Sequence, residues 1–422
     1  MTLKDKSVLI YDYGLCPEVA LKLAESFGRV YYFTQWQEAF PSSNKAMIGR
    51  GLEKFGVEKI DYFWDKVDSV DLIACFDTYS HDVVEFLKTK GYRVFGPGLA
   101  EFLENNRKYC LEIQEAVGLP VPEAEAVVGI TNLKKKIIEM GGNVYVKLNS
   151  FRGDMETFYV KDILGSKIYL DRLSVSLGPR QEQVEFLVSK KINGIEPGYD
   201  GFVVDGKYPN YGLWGYERKG SGYITKVEKY ENIPLAIKQV NDKLSKYFET
   251  MKTRSMFSTE IMVDASGDGY LIDPTIRSPM PVPTAIQLEL WQNFAEFIWE
   301  ASAGNLIDLI PTAKYGCGVA LDSEWANKNW LEVLIDKEVR RWVKFRNFII
   351  VNDKYYAVPG FSSVCSVIGL GDSVDEAIEH LKENIAGVSG FELDQDIGGI
   401  ENVIEEIQQG SDFGLPDFSE EE

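Results

Sequence analysis

Apolar and polar positions over the first hundred residues fall into blocks that switch between strand-like and helix-like spacing. Val8-Leu9-Ile10, Val30-Tyr31-Tyr32-Phe33, Leu72-Ile73-Ala74-Cys75 and Arg93-Val94-Phe95 are short apolar runs, with amphipathic stretches from Glu18 to Phe27 and from Val83 to Leu87 between them. The alternation predicts a small parallel sheet covered by helices. Phe95-Gly96-Pro97-Gly98 punctuates the chain, residues 99–117 predict a helix ended by Gly118, and Leu119-Pro120-Val121-Pro122 forces an extended crossing. Residues 123–190 have the length of a compact lid, with strands at Val144-Tyr145-Val146 and Val184-Glu185-Phe186-Leu187-Val188.

A larger mixed region follows from about 199 to 310. It holds a strand at Gly201-Phe202-Val203-Val204, an aromatic loop over 208–223, a helix from Pro234 to Thr250, strands near 257–263 and 269–273, and a helix through Trp291 to Ala301. Strand patterning resumes after 313, with a hairpin from Phe348 to Val358 around Asn352-Asp353 and a helix from Val374 to Asn384. The last dozen residues, ending Ser419-Glu420-Glu421-Glu422, read as a mobile acidic tail. The expected division is 1–98, 99–198 for the crossing helix and lid, 199–312 for a catalytic core, 313–407 for a last domain, and 408–422 for the tail.

Composition narrows the chemistry. The chain of 422 residues is 45% hydrophobic, enough for a large core, and no run reaches the ~20 apolar residues of a membrane span. The N-terminus, Met1-Thr2-Leu3-Lys4-Asp5-Lys6, has no long apolar stretch, so the cytosol is the expected compartment. Five scattered cysteines without a C-x-x-C pair read as reduced core residues, and two histidines, His81 and His380, exclude a multi-histidine metal site. A formal charge of −20 repels polyphosphate backbones and anionic surfaces, which sets nucleic acid aside as a bulk partner. Chemistry is left to carboxylates, lysines, arginines and a hard metal ion.

Those residue types stand at strand ends. Lys147 closes the apolar strand Val144-Tyr145-Val146, which places its ammonium at the mouth of a sheet. Glu260 lies in Phe257-Ser258-Thr259-Glu260-Ile261-Met262-Val263 and Asp273 ends Gly269-Tyr270-Leu271-Ile272, with the turn Asp264-Ala265-Ser266-Gly267-Asp268 between. Hairpin pairing of these strands brings the two carboxylates side by side, where a shared magnesium would offset their repulsion. Taken singly, a charged residue at a strand end is most often a solvated surface group.

Order and company say more. Phe95-Gly96-Pro97, Leu103-Glu104-Asn105-Asn106-Arg107, Gly118-Leu119-Pro120-Val121-Pro122, Val144-Tyr145-Val146-Lys147, Val184 to Val188, Gly194-Ile195-Glu196, Asp273-Pro274-Thr275-Ile276-Arg277 and Ser366 to Ala377 together resemble the ATP-grasp enzymes, and within them the glycinamide ribonucleotide synthetase family. The resemblance implies an ATP-grasp fold with a Rossmann-like N-terminal domain, a hinged lid and a C-terminal mixed α/β domain. It implies ATP and Mg2+ as cofactors, and an ADP-forming ligase that joins a small carboxylate to an amine through an acyl phosphate, as a monomer or homodimer. Arg107 and Lys147 would then contact the phosphates, the backbone of Glu185, Phe186, Leu187 and Val188 the adenine, and Glu196 the ribose. Glu260, Asp273 and Thr275 would hold magnesium, and Arg277 would stabilise phosphate or the intermediate.

Departures from the family are equally legible. Asn149-Ser150-Phe151-Arg152-Gly153-Asp154 replaces a glycine-rich lid loop, Thr275 stands where asparagine is usual, and Asp273 is one carbon shorter than glutamate. Tyr11-Asp12-Tyr13-Gly14-Leu15-Cys16-Pro17 lacks the family's glycine-rich first turn, which points to an acceptor other than phosphoribosylamine. A hydroxyl acceptor, or a nucleotide-binding homologue without turnover, are the rival readings. Asp77-Thr78-Tyr79-Ser80-His81 follows a strand where open α/β sheets bind ligands, or is a plain helix cap at Ser80. The aromatics and cations from Tyr208 to Lys219 either clamp a substrate or pack on one another.

Overall fold

The computed structural model describes residues 2–34, 44–149, 157–218 and 222–418. Strands β1 (Ser7–Asp12), β2 (Arg29–Thr34), β3 (Val57–Ile60), β4 (Leu72–Cys75) and β5 (Val94–Phe95) form a parallel sheet in the order β3-β2-β1-β4-β5. Every residue of β1 is buried, as expected of a central parallel strand covered on both faces. The strand order reverses between β1 and β4, so the carboxyl ends of these two strands, at Asp12 and next to Asp77, flank the crevice where such sheets accept ligands.

The helix expected over 99–117 is broken. Turns at Gly98–Glu101 and Phe102–Asn105 stop at Asn106, whose backbone is extended (φ −136°, ψ 99°), and a new helix runs Arg107–Ala116. Asn106 accepts a hydrogen bond from the Tyr109 amide at 3.0 Å, so a side chain that competes with the backbone has restarted the helix as its cap. Gly118 ends it as expected, at φ 74°. Asn106→Ala is expected to lower stability by about 1 kcal/mol, read from denaturant midpoints.

The lid is a separate four-stranded sheet of β6 (Ala124–Val128), β7 (Val144–Leu148), β8 (Thr157–Val160) and β9 (Glu185–Lys190), ordered β6-β9-β7-β8. Its apolar face closes on its own helices in a cluster that includes Leu133, Ile137, Val146, Leu170, Leu173 and Val188. Its core is its own, and the chain leaves it by the short crossing that follows β9.

Among the described residues the main sheet has nine strands. β10 (Gly194–Ile195), β11 (Pro197–Val204), β12 (Tyr211–Arg218), β13 (Gly222–Lys229), β14 (Arg254–Asp264) and β15 (Gly269–Thr275) are joined by three strands from beyond the expected boundary at 312, the first of them β16 (Tyr315–Asp322). β17 (Leu331–Ile335), β19 (Phe348–Val351), β20 (Lys354–Ala357) and β22 (Val388–Gly390) make a small sheet, while β18 (Val343–Phe345) and β21 (Ser363–Gly371) extend the main one through β16. One apolar core runs from Val8 to Phe418, so the last hundred residues complete the core sheet rather than forming an appendage.

Three further expectations change. The helix through Trp291 to Ala301 is two helices, Val282–Leu290 and Phe294–Ser302, with Trp291 extended between them. The acidic tail is anchored as far as it is described: Leu415 and Phe418 are buried, Phe418 meets Trp214 edge-on at 4.7 Å, and its carbonyl accepts from the Tyr315 hydroxyl at 2.8 Å. Two apolar side chains outweigh the surrounding acids there, and residues 419–422 lie outside the described residues. The aromatic loop is largely β12, with Trp214 and Tyr216 in the core, so its rings pack on one another; Lys219 is not described. The Asn352-Asp353 hairpin forms as expected, both residues at positive φ.

Candidate active site

The carboxylate pair is a direct product of local sequence. β14 and β15 are joined by a short turn and pair in register Ser258↔Thr275, Thr259↔Pro274 and Glu260↔Asp273, so Ser258, Glu260, Asp273 and Thr275 share one face. Asp200 on β11, opposite Ser258, extends this row of oxygen donors. Two cations from distant segments converge on it. Arg107 Nη1, from the restarted helix, donates to Asp273 Oδ1 at 2.5 Å, and Lys147 Nζ, from the lid, reaches Asp273 Oδ2 at 3.3 Å and the Ile272 carbonyl at 2.8 Å. The side chains of Arg107, Lys147 and Asp273 are 5%, 10% and 17% exposed, so these charges are held in a partly desolvated cleft between lid and core.

Arg277 sits beside this group, facing the first sheet. Its Nε donates to Glu104 Oε1 at 2.9 Å and lies 3.7 Å from Asp77 Oδ1, while Glu104 Oε2 accepts from the Ile276 amide at 2.9 Å. Asn149 fastens the lid to the helix that carries Arg107: its Oδ1 accepts from the Lys108 amide at 2.8 Å and its Nδ2 donates to Glu185 at 2.7 Å.

No family model matches the chain. No curated protein matches it either. Solved structures do. Phosphoribosylamine–glycine ligase from Thermotoga maritima is 16% identical with a TM-score of 0.71, covering 92% of this chain and 98% of that one. The biotin carboxylase domain of 2-oxoglutarate carboxylase from Hydrogenobacter thermophilus, in complex with MgADP, ADP and bicarbonate, is 12% identical with a TM-score of 0.66 over 97% of this chain and 98% of that one. L-amino acid ligase from Bacillus licheniformis is 15% identical with a TM-score of 0.62 over 92% and 99%. This chain has the ATP-grasp fold.

Within the ATP-grasp frame, the residues named from sequence divide. Arg107, Lys147, Glu260, Asp273 and Thr275 come together, with Arg277 next to them on the side of the first sheet. Glu185 to Val188 do not stand where a backbone edge could receive adenine. They lie in β9, the strand paired with β6 on one side and β7 on the other, so their amides and carbonyls belong to two ladders. The Lys190 and Lys191 amides are also taken, by the carbonyls of Glu123 and Asn143, and the crossing to the core is at 192–193. Glu185 instead tethers Asn149. Glu196 is exposed, past that crossing, between β10 and β11. The lid loop after Asn149 lies outside the described residues.

Sequence reasoning passed over several groups. Glu104, Asp200, Asn149 and Asp12 are buried polar residues whose roles come from long-range partners; Glu104 lay inside a motif used only for its arginine. Burial pushes Asp77 up to about 6, Arg277 opposes that, and Asp12 adds to it. Burial likewise raises Asp200 to about 6 against hydrogen bonds from Tyr223 and Ser258, with Glu260 adding to the rise. Burial lowers the Arg277 pKa, but Glu104 and Asp77 outweigh it and the guanidinium stays charged. Ser80 does not cap its helix through its side chain: its hydroxyl turns back to the Asp77 carbonyl at 3.3 Å, and Asp77 faces Arg277.

Magnesium fits the donor set. Among the described residues no group of three or more His, Cys, Asp or Glu side chains is placed to hold a metal. Magnesium characteristically takes one or two protein carboxylates and completes its shell with phosphate and water, which is what Glu260 and Asp273, with hydroxyl oxygens beside them, offer.

Proposed function

We propose that the protein is an ATP- and magnesium-dependent ligase that activates a small carboxylate as an acyl phosphate and transfers the acyl group to an amine. The observation that carries this is the convergence of Arg107 and Lys147 on Asp273, itself paired with Glu260 across the ladder. Two cations gripping one acid are poised to turn to a triphosphate, which frees the acid for a metal. Magnesium held by Glu260 and Asp273 would neutralise phosphate charge.

Arg107 and Lys147 orient the terminal phosphate. The substrate carboxylate oxygen bonds to the terminal phosphorus as the bridging bond to ADP breaks. The amine nitrogen then bonds to the acyl carbon, phosphate leaves with the C–O electron pair, and the amine proton passes to solvent. Arg277 faces the oxyanion of that step, and the fixed pair with Glu104 keeps it oriented without reorganisation. The lid excludes water from the acyl phosphate. Asp12 and Asp77 at the strand-order reversal support an acceptor without phosphate, because two buried acids repel one.

Hydroxylamine, a small nucleophile that needs no seat, traps acyl phosphates as hydroxamates. With a panel of carboxylic acids, ATP and magnesium, at least one acid is expected to give ADP and hydroxamate in equal amounts, and Lys147→Ala to lower the rate by about 10²–10³-fold. Hydroxamate from no acid, or an unaltered rate in Lys147→Ala, ends this reading. ADP formation that depends on an alcohol and not on an acid would support the hydroxyl-acceptor rival.

A further inference from the structure

The turn after β4 carries a histidine that the ligase chemistry so far leaves unused. His81 opens the helix His81–Thr89 at the strand-order reversal, and its Nδ1 lies 2.6 Å from Glu101 Oε1. Glu101 is 1% exposed, and its other oxygen accepts from the Ser80 amide at 3.0 Å. A carboxylate can only accept, so Nδ1 carries the proton and Nε2 is left with a lone pair. Among the described residues nothing hydrogen-bonds to Nε2, and the side chain is 36% exposed, so that nitrogen can meet a ligand. Phe102 steadies the ring from the side, with centroids 4.8 Å apart.

Two connections tie His81 to Arg277. Along the turn, the Ser278 amide donates to the Phe76 carbonyl at 2.9 Å, Arg277 Nε lies 3.7 Å from Asp77 Oδ1, and the Ser80 hydroxyl donates to the Asp77 carbonyl at 3.3 Å. Through the helical run from Gly98 to Asn105, Glu101 holds His81 and Glu104 holds Arg277. Residues three apart in such a run have Cβ atoms about 5–6 Å apart. Tyr13, just past β1, donates to the Tyr79 carbonyl at 2.7 Å and brings the end of β1 against the same turn. His81 and Arg277 therefore border one crevice, at the carboxyl ends of β1 and β4.

An amine reaches this acidic crevice as an ammonium, which has no lone pair and cannot attack an acyl carbon until a proton is removed. The acids around it are committed: Asp12 accepts from the Tyr13 and Cys16 amides and the Tyr32 hydroxyl, Asp77 faces Arg277, and Glu104 holds Arg277. Imidazole is the side chain that gains and loses a proton near neutral pH. A buried carboxylate on Nδ1 fixes its tautomer and steadies the charge it acquires. We propose that His81, oriented by Glu101, is the base of the acyl-transfer step. Its Nε2 takes one proton from the ammonium, the freed nitrogen lone pair bonds to the acyl carbon, and phosphate leaves with the C–O electron pair. The proton released as the tetrahedral adduct collapses passes to solvent, and His81 gives up its own by its exposed edge. This rests on the ligase reading; Glu101 acts through His81 as a positioning residue.

Two nucleophiles separate this base from acid activation. Hydroxylamine is largely unprotonated at neutral pH and needs no base, whereas ammonium does. The full chain, ATP, magnesium and an acid that yields hydroxamate are given hydroxylamine or ammonium chloride, and hydroxamate and primary amide are measured. His81→Gln is expected to lower the ratio of amide to hydroxamate by about 10²–10⁴-fold, and added imidazole to restore part of it in His81→Ala. An unchanged ratio, an equal loss of both products, or no primary amide from the parent overturns the proposal and leaves the ligase reading standing. Hydroxamate from no acid ends the ligase reading, and the base with it. Nitrogen NMR of the parent with labelled histidine needs no substitution, because His380, packed on Trp342 at 4.4 Å, is the only other histidine. In its neutral form His81 should show a protonated Nδ1 and a bare Nε2; the opposite tautomer overturns the assignment.

Discussion

Asp273→Asn is expected to reduce ADP formation by about 10²–10³-fold and to erase the preference of the protein for metal-bound over metal-free ATP. The side chain is the meeting point of Arg107 and Lys147 and stands opposite Glu260, so on the proposed reading it would serve the cations without phosphate and a metal with it. Asparagine keeps the shape and removes the charge. Arg107 and Lys147, 5% and 10% exposed, then lose the charge of Asp273, at a cost of about 3–5 kcal/mol to the nucleotide-free protein. Metal-free ATP, whose phosphates replace the lost charge, should bind the variant at least as well as it binds the parent. Titrations with ATP in magnesium and in a chelator measure the difference; a variant with full turnover and an unchanged magnesium dependence would refute the assignment of Asp273.

The second large effect is on stability. Glu289, 1% exposed in the helix Val282–Leu290, accepts from Lys344 Nζ at 2.6 Å and from Arg341, with Lys22 at 3.9 Å. These partners come from the helix after β1 and from the segment around β18, so one carboxylate ties three stretches of chain together. Glu289→Gln should lower the unfolding free energy by about 3–5 kcal/mol, because the buried Lys344 ammonium loses its counter-charge; a change within about 0.5 kcal/mol would show the cluster to be inert. Burial alone would raise the Glu289 pKa, but Lys344 and Lys22 and the hydrogen bonds from Lys344 and Arg341 outweigh it and hold the carboxyl below its usual range. Its stabilisation is therefore fully present above the unfolded-state pKa, about 4.3, and is lost as pH falls through the lower folded value. The difference between parent and variant should shrink over that acid window.

Residues that sequence placed well are those whose geometry is set by short stretches of chain. The Glu260 and Asp273 pairing follows from two strands and one turn, and the Asn352-Asp353 hairpin from two residues that accept positive φ. Lys147 at the end of β7 was equally readable, since strand polarity fixes which end faces a cleft. The adenine assignment went astray because an apolar run says that a strand exists without saying how many neighbours it has. β9 has two, and its backbone is spent on both.

By itself the sequence determined most of the strands and the hairpin that pairs Glu260 with Asp273, because periodicity and short turns act over a few residues, while the ATP-grasp fold was legible only as a resemblance carried by the order of its motifs. Tertiary structure decided which distant groups complete the site. Arg107 and Lys147 reach Asp273 across 166 and 126 residues of chain, and Glu104 fixes Arg277 across 173. Those meetings depend on how a cap at Asn106, a separately cored lid and the closing strands of the main sheet pack, and no local pattern carries that information.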